Sequence, residues 1–225
     1  MEKTKEPQYQ ILLDLQREKG LTRLGLMTNQ VWHDDPRRLL FYLSRYKFVS
    51  KMLSGKKGVL EIGCGDVFGT RIVQQEVGEV CAVDFDPLFI KDIGERMEEK
   101  WRFECKVHDM LKGPMEGEFD AAYSLDVIEH IPKGMEEVFM KNISESLEPN
   151  GVLIIGTPSI QSQVYASKPS KEGHVNCKDH KEFKELMLKY FHNIFIFSMN
   201  DEVVHTGFYP MAHYLLALGV GKRSC

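Results

Sequence analysis

Apolar positions in this chain fall into short unbroken runs, separated by stretches of helical period. GVLEIG, VCAVDFD, FDAAYSLDVI and VLIIGTP have the length and β-branched content of strands buried on both faces. Between them lie TRIVQQEVG, PLFIKDIGERMEEKW (opened by Pro87) and GMEEVFMKNISESLEPNG (closed by the turn Pro149–Gly151), which read as helices. RFECKVHD adds a short strand. Strands alternating with helices of this length predict right-handed crossovers and a mostly parallel sheet with helices on both faces.

Upstream, YQILLDLQREKG predicts an amphipathic helix stopped at Gly20. DPRRLLFYLSRYKFVSKMLSG predicts a second, with Asp35 as cap, Pro36 in the first turn and Gly55 at the end. After Pro158 the rhythm breaks into a long polar stretch, SIQSQVYASKPSKEGHVNCKD, of the kind that carries function in compact domains. A helix HKEFKELMLKYF, a strand NIFIFSM, a connector NDEVVHTGFYP and an apolar segment MAHYLLALGVG follow. The last two strands have no helix between them, so the final one is expected to run antiparallel, between its neighbours.

Composition narrows the class. A net charge of −4 over 225 residues argues against a dedicated nucleic-acid binder. The cysteines, Cys64, Cys81, Cys105, Cys177 and Cys225, show no CxxC pair or disulfide framework and read as reduced thiols. The start MEKTKEPQYQ lacks the apolar core of a signal peptide, and no run approaches the ~20 apolar residues of a membrane span. The expected location is cytoplasmic.

The chemistry begins at VLEIGCGDVFGT. Glycines after a first strand let backbone approach a ligand, and the next helix offers free N–H groups to it. The dinucleotide fingerprint G-x-G-x-x-G fails here, because Phe68 occupies the position of its third glycine. Asp84 ends the second strand, where a carboxylate accepts from both hydroxyls of a ribose. Asp109 follows the third strand, where an acid accepts from an exocyclic amine.

These segments, in this order and spacing from Gly55 to Pro158, strongly resemble the class I, Rossmann-like S-adenosylmethionine-dependent methyltransferases. The resemblance implies a three-layer α/β/α sandwich with a seven-stranded sheet in the order 3-2-1-4-5-7-6, the last strand antiparallel. It implies one domain: residues 1–54 as a helical cap, 55–158 as the cofactor-binding core, and 159–225 as the acceptor-side loop and last strands. S-adenosylmethionine is the implied cofactor. Glu61, Gly63 and Gly65 match the motif against its methionine and sugar. Asp84 matches the ribose acid, Phe85 the cover of the adenine, and Asp109 and Met110 the adenine edge. Ser124, Leu125 and His130 match positions near the sulfonium. One departure is Val67, where the family often has a third glycine.

Methyl transfer from a sulfonium needs an acceptor atom held in line, exclusion of water and a base for the acceptor's proton. His174 is the first expected base and His180 the second, because they close the loop after the fifth strand; His205 and Tyr209 lie in the later connector. Arg37, Arg38, Lys168 and Lys171 suit an anionic acceptor, and Trp32, Tyr42 and Tyr46 a lid. The strand-four stretch SLDVIEH is not the NPPY-type segment of enzymes that methylate DNA bases. The favoured function is methylation of a small-molecule oxygen in a hydroxyl, carboxylate or phosphorus acid, with an anionic compound or a sugar as acceptor and neither nucleic acid nor membrane as partner. A rival expectation is a metal-dependent O-methyltransferase, similar to small-RNA 2′-O or quinone-pathway enzymes. It would use Asp126, Glu129 and His130 with a later histidine. A second rival is a cofactor-binding module without catalysis, although both glycine loop and ribose acid are intact.

Overall fold

The computed structural model describes residues 2–223, so Cys225 lies outside the described residues. Its strands are β1 (Gly58–Ile62), β2 (Glu79–Asp84), β3 (Glu104–Val107), β4 (Phe119–Leu125), β5 (Leu147–Pro158), β6 (Phe191–Asn200), β7 (Val203–His205) and β8 (Tyr214–Lys222). They form one sheet in the order β3-β2-β1-β4-β5-β8-β6-β7. β1 to β5 pair in parallel, and β8 runs antiparallel between β5 and β6. This is the expected order with its reversed last strand.

One strand more is present than expected. β7 folds back on β6 with Ser198 opposite His205 and Asn200 opposite Val203. Three residues inside a polar connector give no alternation to read, and the hairpin is set by Asp201, whose φ is +49°.

The helices are α1 (Gln10–Lys19), α2 (Leu26–Asp34), α3 (Arg38–Met52), α4 (Thr70–Gln74), α5 (Pro87–Arg96), α6 (Glu136–Ser146), α7 (Lys168–Gly173) and α8 (His180–Leu188). α2 has no counterpart among the sequence expectations. Its residues are mostly exposed, so its apolar positions form no stripe. α3 starts later than Asp35 implies, because Asp35 accepts from Arg37 N within a turn and Arg38 opens the helix. The long loop is also more ordered than its composition suggests. It holds a 3-10 stretch, Ile160–Tyr165, and α7, each capped by a serine: Ser159 accepts from Ser162 N and Ser167 from Ser170 N.

Alternation along the buried strands sorts side chains into two layers. Leu60, Ile62, Val83, Ala122, Leu153 and Ile155 meet Phe139, Met140 and Ile143 of α6 and Phe183 and Met187 of α8. Val59, Ala121, Tyr123 and Ile154 meet Tyr46 and Val49 of α3 and Val73 of α4. Ala82, with Cys64 and Val67, meets Ile93 of α5. Glu61 therefore points into the α3–α4 layer, a placement decided by strand period alone. Cys64, Cys81, Cys105 and Cys177 are free thiols, the first two buried. No helix among the described residues is long and apolar enough to cross a membrane.

Candidate active site at the carboxyl ends of the strands

Backbone geometry makes the loop after β1. Gly63 and Gly65 take φ of +70° and +52°, and Val67 takes +51°. The residue at the family's third-glycine position thus keeps a glycine-like conformation although it is β-branched, a costly combination. Asp84, 6% exposed at the end of β2, braces the loop: its Oδ2 accepts from Gly65 N at 2.9 Å and its Oδ1 from Asp86 N at 3.0 Å. Burial pushes its carboxyl up, against the pull of the Asp86 and Gly65 amides. Each oxygen keeps a further lone pair for a ligand hydroxyl.

The cap is fastened to the same loop. Asp66 Oδ2 accepts from Thr28 N of α2 at 2.7 Å, while Asp66 Oδ1 accepts from Phe68 N. The approach is so close that a Cβ on Gly25 would lie 2.4 Å from Asp66 Cβ. Glu61 is 2% exposed, with Oε1 accepting from Tyr46 of α3 at 2.8 Å and Oε2 from Thr70 of α4 at 2.6 Å. Tyr42 in turn donates to Tyr46 at 3.1 Å. Burial raises the Glu61 carboxyl to about 7, against the hydroxyls that stabilise its charge.

The other expected cofactor residues divide. Phe85 is 72% exposed just past β2, a free aromatic face beside Asp84. Asp109, past β3, accepts from Leu111 N at 3.0 Å. Met110 is buried in the sheet–α6 layer, and its carbonyl accepts from Asn142. Ser124 is buried and donates to Ile62 O at 3.1 Å, tying β4 to β1. Leu125 and His130 line a cavity.

That cavity, about 310 Å³, is lined by Gly63, Cys64 and Gly65, by Met27, Thr28, Tyr42 and Tyr46 of the cap, and by Asp126, Glu129, His130 and His174. The fourth-strand motif turns sharply here. Asp126 sits at φ +57°, and Ile128–His130 form one 3-10 turn. Asp126 Oδ2 pairs with Arg45 Nη1 at 2.5 Å, and the guanidinium lies over the Tyr214 ring at 3.8 Å. Arg45 Nε is buried without a partner. Glu129 is fully buried; its carboxyl is pushed well up by burial first and by the Asp126 charge second. The Glu129 carbonyl accepts from Val175 N and Asn176 N, which pins the loop after α7 and carries His174 to His130, ring centroids 5.1 Å apart. Burial, then the neighbouring His130, lowers the basicity of His174.

His180 does not join this group. It opens α8 and stacks on Tyr209 at 4.4 Å, outside the residues lining the cavity. The cations expected near an acceptor also divide: Arg38 lines the cavity, while Arg37 pairs with Asp35 and Lys168 with Glu172. Lys171 donates to Val164 O. Arg45 was absent from the sequence expectations. Its position on a helix otherwise read by apolar spacing gave no sign that it would face Asp126, 81 residues away.

Residues 59–151 match the methyltransferase domain family. A probable S-adenosylmethionine-dependent methyltransferase of Mycobacterium tuberculosis is 24% identical over 123 residues, covering 53% of this chain and 43% of that protein. The matched stretch therefore spans less than half the length of that relative. Among solved structures, the N-methyltransferase NodS of Bradyrhizobium japonicum with S-adenosyl-L-homocysteine is similar at TM-score 0.62 and 18% identity, over 84% of this chain and 89% of that one. A methyltransferase described as a possible histamine N-methyltransferase of Thermotoga maritima is similar at TM-score 0.66 and 19% identity, over 86% and 96% of the two chains. The matched residues carry the glycine loop, Asp84 and Asp109, so in this stretch and in the order of its sheet the chain is similar to the class I, Rossmann-like S-adenosylmethionine-dependent methyltransferases.

Proposed function

We propose that the protein transfers the methyl group of S-adenosylmethionine to an oxygen of a small acceptor held in the cavity. The observation that carries this reading is that one cavity is lined both by the glycine loop, Gly63 to Gly65, and by the pair His130 and His174. The donor set near β2 suits the cofactor: Asp84 for the ribose hydroxyls, the exposed Phe85 face for the adenine, and Asp109 for its amine. Gly63 and Gly65 give the methionine half a path along bare backbone to the cavity. The cofactor supplies an activated methyl; the chain supplies alignment, dryness and a place for the acceptor's proton.

In this reading the acceptor oxygen attacks in line, the O–CH₃ bond forms as the S–CH₃ bond breaks, and sulfur leaves as a neutral thioether. His174 is the candidate proton acceptor, since its depressed basicity keeps the imidazole neutral at pH 7. Arg38 supplies positive charge at the cavity wall, Arg45 being already paired with Asp126, and this supports an acceptor carrying a carboxylate or phosphorus acid over a plain sugar.

The test is release of S-adenosylhomocysteine with acceptors sorted by class: hydroxy acids, phosphorus acids, sugars and primary amines. Turnover with an anionic oxygen acceptor supports the reading. Turnover with amines alone makes the protein an N-methyltransferase. Tight cofactor binding without turnover on any class leaves the binding-module reading.

A further inference from the structure

The cavity wall around Glu129, His130 and His174 has a second capacity, visible in its hydrogen bonds. Glu129 Oε2 accepts from Thr157 Oγ1 at 3.2 Å, but Oε1 is buried and has no hydrogen-bond partner. A buried carboxylate oxygen left bare is costly unless something else binds it. His130 Nδ1 lies 2.9 Å from Gly173 O. A carbonyl can only accept, so Nδ1 carries the hydrogen and Nε2 bears the free lone pair.

His174 is fixed the same way. Its Nδ1 lies 2.9 Å from Gln163 Oε1, and the amide nitrogen of Gln163 donates to Ser159 O at 3.3 Å. That second bond sets the amide orientation, so the histidine again donates through Nδ1 and keeps Nε2 bare. Ligating atoms of Glu129, His130 and His174 lie within 4.8 Å of one another.

We propose that Glu129, His130 and His174 bind a divalent transition-metal ion, zinc or a near neighbour, with open coordination positions facing the cavity. Two imidazoles and one carboxylate favour such an ion over magnesium or calcium, which prefer all-oxygen shells. Imidazoles held from behind by Nδ1–H···O=C bonds are the arrangement that metal-ligating histidines use. Closing round an ion at about 2.1 Å requires a modest shift, which the exposed His130 ring can make. The set differs from the one the sequence suggests. Asp126 is engaged by Arg45, and His180 is stacked on Tyr209. The ion's role rests on the methyl-transfer reading: it holds the acceptor oxygen and acidifies its proton, which then leaves to solvent, and His174 serves as ligand in place of base.

The experiment titrates the chelator-treated protein with Zn²⁺ by calorimetry and with Co²⁺ by visible absorption, and measures S-adenosylhomocysteine binding on the same samples. The expected result is one tight site with a ligand-field band. His130→Ala and Glu129→Gln should each weaken Zn²⁺ at least ~10-fold, Gln163→Leu should weaken it less, and His213→Ala should leave it unchanged. If Glu129→Gln fails to fold, the exposed His130 still decides. Absence of a stoichiometric site, or a site indifferent to His130→Ala, overturns the metal proposal. If S-adenosylhomocysteine binding persists in that case, the methyl-transfer reading stands with His174 as base. Absence of S-adenosylhomocysteine binding in the wild type would instead remove the reading beneath it.

Discussion

The hydroxyl of Tyr46 donates to Glu61 Oε1 at 2.8 Å, so the cap helix α3 is bonded to the acid that precedes the glycine loop. The sequence offers Glu61 as a residue lying against the cofactor. In the fold it is enclosed between Tyr46 and Thr70, and it sets how the cap meets the loop. Tyr46→Phe leaves a buried carboxyl oxygen with one donor fewer. The expected loss is about 1–3 kcal/mol of stability, read from the midpoint of urea unfolding at unchanged slope.

Glu61 also gives stability a pH dependence. Its folded pKa of about 7 lies above the ordinary value of 4.5, so the native state holds a proton that the unfolded chain has released. Between those values the unfolded state binds fewer protons, and stability falls as pH rises. The loss saturates at roughly 3 kcal/mol above pH 7. Glu61→Gln should flatten this part of the profile relative to wild type. An unchanged slope between pH 5 and 7 in the variant would contradict the assignment.

His174 and His180 stand six positions apart in the chain, yet only His174 lines the cavity. His174→Ala should lower kcat by about 10²–10⁴-fold while cofactor affinity changes little. His180→Ala should change kcat less than ~3-fold, because it loses only a stacking contact with Tyr209. Comparable losses in both variants would show that the loop acts as a unit and that neither imidazole is special.

Arg45 and Asp126 are coupled across 81 residues by an ion pair at 2.5 Å, with side chains 19% and 30% exposed. A double-mutant cycle with Arg45→Met and Asp126→Asn should give a coupling of about 1–3 kcal/mol. Asp126 tolerates the left-handed backbone it occupies, so Asp126→Asn isolates the charge. Asp126→Val should destabilise further through φ +57°.

Much of the architecture was legible because it depends on local patterns. Buried strands between helices of ordinary length leave few topologies, and the missing helix before β8 betrays its reversal. β7 was not legible, since three residues carry no period, nor was α2, whose faces are both largely exposed. That the glycine loop, Asp84 and Asp109 lie at strand ends could be read because the strands before them were legible. Met110 and Ser124 were matched by position, but the fold turns the Met110 side chain into the core and the Ser124 hydroxyl to Ile62 O. Arg45 and the separation of His174 from His180 depend on pairings between distant segments, which spacing does not encode.

The most direct test is calorimetric titration of the purified protein with S-adenosylhomocysteine, beside Asp84→Ala. Micromolar binding by the wild type, weakened at least ~100-fold in the variant by loss of two hydrogen bonds to a charged acceptor, is the expected result. Equal affinity in the two proteins, or no binding by a folded wild type, would contradict the placement of the nucleoside at the end of β2.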